Sequence, residues 1–127
     1  MDVAYIFATA GQTIDYVLGE MILPQLETDT HGVDVAGMFF FHDNTYALRD
    51  GDPLGDRLAT VADERDILLM LCDQCATKRG LAEFDHTDDA GRDHYRSVGT
   101  VENATVGCFP DLYAALGDDG VDNVITL

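Results

Sequence analysis

The run Ile67-Leu68-Leu69-Met70-Leu71 is apolar at every position and stops at Cys72. A strand that alternates apolar and polar residues can leave one face in water, but this one cannot. Both of its faces need cover, as in a parallel sheet with helices on either side. That requirement narrows the chain to an α/β architecture. It also says where chemistry should sit, because ligands in open α/β sheets gather at the carboxyl ends of the strands. Here that end carries Cys72-Asp73-Gln74-Cys75, followed by Lys78-Arg79-Gly80.

The rest of the chain supplies the partners such a strand needs. Residues 3–8 form a first apolar strand that ends in the small-residue turn Thr9-Ala10-Gly11. Ile14, Val17, Leu18, Met21 and Ile22 then share one helical stripe, and Pro24 is placed to end or kink that helix. A second strand covers residues 33–41 and stops at His42-Asp43-Asn44. Asp52-Pro53 reads as the N-cap and first position of a second helix, with Leu54, Leu58, Val61 and Ala62 as its stripe. After the third strand, residues 67–71, a short helix over 75–79 is closed by Gly80. A fourth strand, 104–107, leads to a fourth helix, 110–116, with Pro110 first, Asp111 in the opening turn and Gly117 beyond the end. Residues 121–127 give a closing strand. The order β-α-β-α-β-α-β-α-β implies a mostly parallel, doubly wound, five-stranded sheet in one three-layer domain, residues 1–127.

One segment stands apart. Residues 83–100 carry Asp85, Asp88, Asp89, Asp93, His86 and His94 with almost no apolar periodicity. They read as a polar surface excursion, partly helical and mobile.

Charge excludes several functions. The chain has 24 acidic and 7 basic residues, a net charge of −17, and Lys78 is its only lysine. Nucleic-acid phosphate would be repelled, so no nucleic-acid partner is expected. The apolar runs fall short of the ~20 residues needed to span a bilayer, so no membrane role is expected either. Met1-Asp2-Val3 enters the first strand with no basic segment ahead of it, which predicts no signal peptide and a cytoplasmic protein. The acidic surface suits a basic partner, or molar salt, where the Debye length falls to ~3 Å. Acidic residues spread along the whole chain favour salt adaptation and a halophilic archaeon as source. Three cysteines, an odd number, speak against a disulfide framework and for thiols in a reducing compartment.

Cys72 and Cys75, three apart at a helix start, place both sulfurs on one face. The helix N–H groups, with Lys78 and Arg79 one turn on, favour a thiolate there. The alternative is a pair of small buried hydrophobes, which a Cys-x-x-Cys directly after a buried strand makes the weaker reading. Cys108 follows the fourth strand and so belongs to the same edge. It can act as a resolving thiol, or join Cys72, Cys75 and His42 around Zn²⁺ or an Fe–S cluster; it can equally be a packed core thiol. A metal site normally shows two tight ligand pairs, so metal ranks second here. His42 can serve as general base, ligand or lid, or simply as a strand-ending histidine bonded to a turn. Backbone N–H groups around Thr9 and Gly11 can cradle an anion, but one glycine without a fingerprint fits a tight turn better.

The order of elements, the cysteine after the third strand and the Lys78-Arg79-Gly80 step resemble the DsrE/DsrF-like (TusD-related) family. Ala104-Thr105-Val106-Gly107, Leu112 to Leu116 and the final strand match that family's ending. The resemblance covers nearly the whole chain. It implies a flavodoxin-like three-layer fold, homo-oligomers such as trimers or hexamers, and a cysteine that carries sulfur as a persulfide. Cys72 matches that cysteine by position, while Cys75 and the His/Asp-rich excursion depart from the pattern. Sulfur donor and acceptor proteins would be the partners, with no cofactor. Three functions follow. The first is a persulfide carrier, sulfurtransferase-like, with Cys75 resolving or assisting. The second is a metal or thiol-redox module on Cys72, Cys75 and Cys108, and the third is a non-catalytic oligomeric scaffold subunit.

Overall fold

The computed structural model describes residues 1–127. In chain order its strands are β1 (Asp2–Phe7), β2 (Asp34–Phe40), β3 (Leu68–Cys72), β4 (Ala82–Thr87), β5 (Asp93–Ser97), β6 (Ala104–Gly107) and β7 (Asn123–Thr126). Five of them form one sheet in the order β6-β3-β2-β1-β7, with every pairing parallel. The helices are α1, wound as a π-helix over Thr13–Ile22 and as an α-helix over Leu23–Glu27, then α2 (Pro53–Arg65), α3 (Asp73–Lys78) and α4 (Phe109–Asp118). A 3₁₀ segment, His42–Leu48, follows β2. The α/β class and the five-stranded parallel sheet expected from the apolar runs are therefore present. No helix is long and apolar enough to cross a membrane.

The two-residue period of a strand sorts the side chains into two cores. Val3, Tyr5 and Phe7 of β1, Met38 and Phe40 of β2, and Leu69 and Leu71 of β3 point to one side. There they meet Ile14, Leu18 and Ile22 of α1 and Leu58, Val61 and Ala62 of α2. Ala4, Phe39, Met70 and Cys72 point to the other side, against Leu112 and Leu116 of α4. Strand order explains the asymmetry. The chain moves one strand at a time from β1 to β3, but from β6 it must cross the whole sheet to reach β7. Helix α4 makes that crossing alone, so a single helix covers the second face.

Several local expectations are corrected. The α1 stripe is narrower than its sequence suggests. Ile14, Leu18 and Ile22 are buried, while Met21 is 37% exposed. The wider π winding brings residues four apart into line. Pro24 sits where the π segment gives way to α, and the helix ends three residues later. Helix α3 starts at Asp73 rather than Cys75, and Gly80, at φ +74°, still closes it. Helix α4 runs two residues past Leu116, so Gly117 lies inside it and Gly120, at φ +69°, takes the turn.

The excursion at 83–100 is not helical. It is an antiparallel hairpin of β4 and β5, exposed along most of its length. Few apolar residues hold it, so cross-strand pairs do. Phe84 packs edge-on against Tyr95 with ring centroids 6.2 Å apart, and His86 stacks on its register partner His94 at 4.7 Å. Arg96 bridges Glu83 and Asp85. The turn is built by Asp88, whose carboxylate accepts the N–H groups of Ala90 and Arg92, with Gly91 at φ +83°.

Candidate functional site

Cys72 is both the last residue of β3 and the N-cap of α3. The strand period turns its side chain to the α4 face, where it is 8% exposed beside Phe39, Met70 and Leu112. Burial pushes its thiol up to about 11. The N–H of Cys75 works against that rise, the Cys75 thiol adds to it by hydrogen bond and charge, and the N–H of Gln74 opposes it weakly. The expected thiolate is thus not the resting state of Cys72. Desolvation outweighs the two N–H groups at the start of α3. Cys75 is half-buried, packed on the same apolar cluster.

Lys78 and Arg79 do not act on this sulfur. With ~1.5 Å of rise per helical residue, Arg79 lies about 10 Å along the axis from Cys72. Its guanidinium donates to Asp43 Oδ1 at 2.8 Å and to the Cys75 carbonyl at 3.1 Å. Lys78 is exposed and makes no ion pair or hydrogen bond. Proximity in sequence suggests a cationic thiol pocket, whereas the Arg79 guanidinium is committed to Asp43 and the Cys75 carbonyl.

The third cysteine comes close through strand register. Cys72 pairs with Gly107 across β3 and β6, and Cys108 follows as the N-cap of α4. Its backbone N–H donates to Asp111 Oδ2 at 2.8 Å, while the Asp111 N–H is directed at the Cys108 sulfur, closing a reciprocal cap. Gly107 makes room for this: a Cβ there would stand 2.8 Å from Asp111 Oδ2. A cation does reach this corner, from the hairpin. Arg92 donates to Asp111 Oδ2 and lies within electrostatic reach of Cys108 and Asp73. Burial raises the Asp111 carboxyl, but Arg92 and the Cys108 N–H together leave it below its usual value. Sequence reading missed Arg92 altogether. The available signal was an arginine beside an Asp/Gly turn in a chain with only 7 basic residues.

An aromatic ladder borders the thiols. Phe39 packs edge-on with Phe41 at 4.8 Å, Phe41 meets Phe109 at 5.5 Å, and Phe109 stacks on Tyr113 at 5.8 Å. It climbs from a buried ring to Phe109 and Tyr113, 41% and 64% exposed on α4.

The remaining candidates make the contacts of turns. His42 adopts φ +55° and opens the 3₁₀ segment; its carbonyl accepts the Thr45 hydroxyl at 2.8 Å, and its imidazole makes no hydrogen bond. Its backbone contacts are those of a strand-ending histidine bonded to a turn. The Ala8 and Thr9 N–H groups both donate to the Leu127 carbonyl, and Gly11, at φ +84°, accepts from Ile14 and Asp15. That loop is a tight turn rather than an open anion cradle. No group of three or more His, Cys, Asp or Glu side chains is arranged to hold a metal ion, so Cys72, Cys75, Cys108 and His42 do not assemble as ligands.

No protein-family model matches the chain, and no curated protein does. Among solved structures it is similar to the crystal structure of the YchN protein from E. coli. The two share 16% identity over 99% of this chain and 97% of that one, with a TM-score of 0.62. The likeness establishes a shared flavodoxin-like α/β fold over essentially the full length.

Proposed function

We propose that this protein is a thiol protein of sulfur metabolism, a persulfide carrier of the DsrE/DsrF-like kind in which Cys72 bears the sulfur. The observation that carries this reading is the position of Cys72 at the carboxyl end of β3, with the N–H groups of Gln74 and Cys75 directed at its sulfur. The fold shared with YchN supports it at the level of architecture. A buried thiol held near 11 resists stray oxidants, which a storage position requires. Loading proceeds once a donor displaces the cover: the Cys72 thiolate attacks the outer sulfur of a hydropersulfide donor, the donor S–S bond breaks, and the donor thiolate leaves. Donor and acceptor proteins would dock at the carboxyl edge, in a homo-oligomer that covers the exposed part of the α4 face.

Peptide mass spectrometry after incubation with a persulfide donor tests the carrier reading. Gain of one sulfur atom on Cys72 is expected. An unmodified Cys72 in a mixture where glutathione is persulfidated would sink it. A thiol-redox module is the second reading, favoured by the closeness of the Cys75 thiol, which helps to raise the Cys72 thiol. It predicts instead a Cys72–Cys75 disulfide that a thioredoxin-type reductant reverses.

A further inference from the structure

Two of the three thiols at this edge are half-buried, and they stand in different surroundings. Cys75 packs into the apolar cluster around Cys72, and the nearest guanidinium, Arg79, is taken by Asp43 and the Cys75 carbonyl. Cys108 is polar on two sides. The Asp111 N–H is directed at its sulfur, and the Arg92 guanidinium lies within electrostatic reach. Arg92 comes from the hairpin, an element separate from both the sheet and α4, and ion-pairs with Asp111 while half-exposed. Asp111 is its bonded partner, and Asp73 and Cys108 lie within electrostatic reach. The position is also adjacent to the carrier residue, since Cys108 directly follows Gly107, the register partner of Cys72.

We propose that Cys108 is the outer sulfur-bearing thiol of the site, loaded before Cys72, and that Arg92 holds the anionic terminal sulfur of its persulfide. This rests on the carrier reading and adds the port of entry. In the loading step the Cys108 thiolate attacks the outer sulfur of a small hydropersulfide or inorganic polysulfide. A Cys108 S–S bond forms, the donor S–S bond breaks, and the donor thiolate departs and takes up a proton. The sulfane sulfur keeps its oxidation level, so no further oxidant or reductant is needed. The new terminal sulfur is anionic, and the Arg92 guanidinium, half-exposed and ion-paired with Asp111, can turn to it. Hand-over to Cys72 is the same exchange, with Cys108 as the leaving thiolate.

The test treats the full chain with sodium tetrasulfide, blocks with iodoacetamide, and maps sulfur on each cysteine peptide over time. In the native chain Cys108 should gain sulfur before Cys72, and in Cys72→Ser it should load and remain loaded. Arg92→Gln should cut Cys108 loading roughly tenfold, as expected for one charge-assisted hydrogen bond, while Arg92→Lys restores most of it. Circular dichroism reports that the variants are folded. Sulfur on Cys72 of the native chain with none on Cys108, together with an unloaded Cys108 in Cys72→Ser, overturns this proposal and leaves the carrier reading intact. Equal Cys108 loading in Arg92→Gln removes the role of Arg92. Failure of both Cys72 and Cys108 to load while glutathione in the same mixture does overturns both.

Discussion

Cys72 and Gly107 face one another across neighbouring parallel strands, with Cys108 next along the chain. The pairing gathers thiols 36 residues apart in sequence at one sheet edge, but it does not make them equivalent. One is sealed under α4, and the other caps it.

Cys72 should be nearly inert to alkylation at moderate pH. With its thiol near 11, about one molecule in a thousand is ionised at pH 8. Quenched iodoacetamide labelling with peptide mass spectrometry should show a Cys72 rate still climbing above pH 10. A rate that levels off by pH 9 would contradict the burial argument.

The Asp111 carboxyl is held below its ordinary value, so its network binds fewer protons in the folded chain than in the unfolded one. The stability it contributes is fully present above the usual carboxylate value of about 4 and is lost as pH falls through the lower, folded value. Urea melts should show the native chain more stable than Asp111→Asn at pH 6, with the gap closing in acid. A gap that widens toward pH 3 would reverse the assigned sign.

Gly107→Ala should disrupt the α4 cap. The new methyl would stand 2.8 Å from Asp111 Oδ2, so the carboxylate must leave the Cys108 N–H. A loss of about 1–2 kcal/mol in urea denaturation is expected, the range for a lost helix cap. Backbone amide exchange at Cys108 should rise at the same time; unchanged protection there would show that the carboxylate had not moved.

Leu112→Ala should be costly, because α4 alone covers its face and Leu112 is 1% exposed. Cavity formation puts the cost at about 2–5 kcal/mol. Alkylation of Cys72 should then accelerate, since Leu112 belongs to the cluster that seals it. Destabilisation without faster labelling would mean that α4 is not the cover.

Much of the fold was legible because it rests on local pattern. Unbroken apolar runs at β1, β2 and β3 call for two covering layers, and Asp52-Pro53 starts α2 where read, the Asp52 carboxylate accepting from Leu54 and Gly55. The hairpin was misread because its strands bury almost nothing, so no apolar alternation marks them. Its signals were the turn residues Asp88 and Gly91 between Phe84 and Tyr95, flanked by residues that pair across strands rather than pack inward. The α1 winding was also hidden, since one stripe of apolar residues serves a π- or an α-helix.

By itself, the sequence determined the α/β class, the parallel sheet and the placement of Cys72 at a strand's carboxyl end. Each of these follows from hydrophobic periodicity, which neighbouring residues settle among themselves. Only the tertiary structure decided which charge meets which sulfur. Arg79 lies close to Cys72 in the chain, yet its guanidinium pairs with Asp43, while Arg92 arrives on a hairpin to meet Asp111, 19 residues on. Such encounters depend on strand order, register and the crossing of α4, and electrostatic interaction falls with distance in space rather than along the chain.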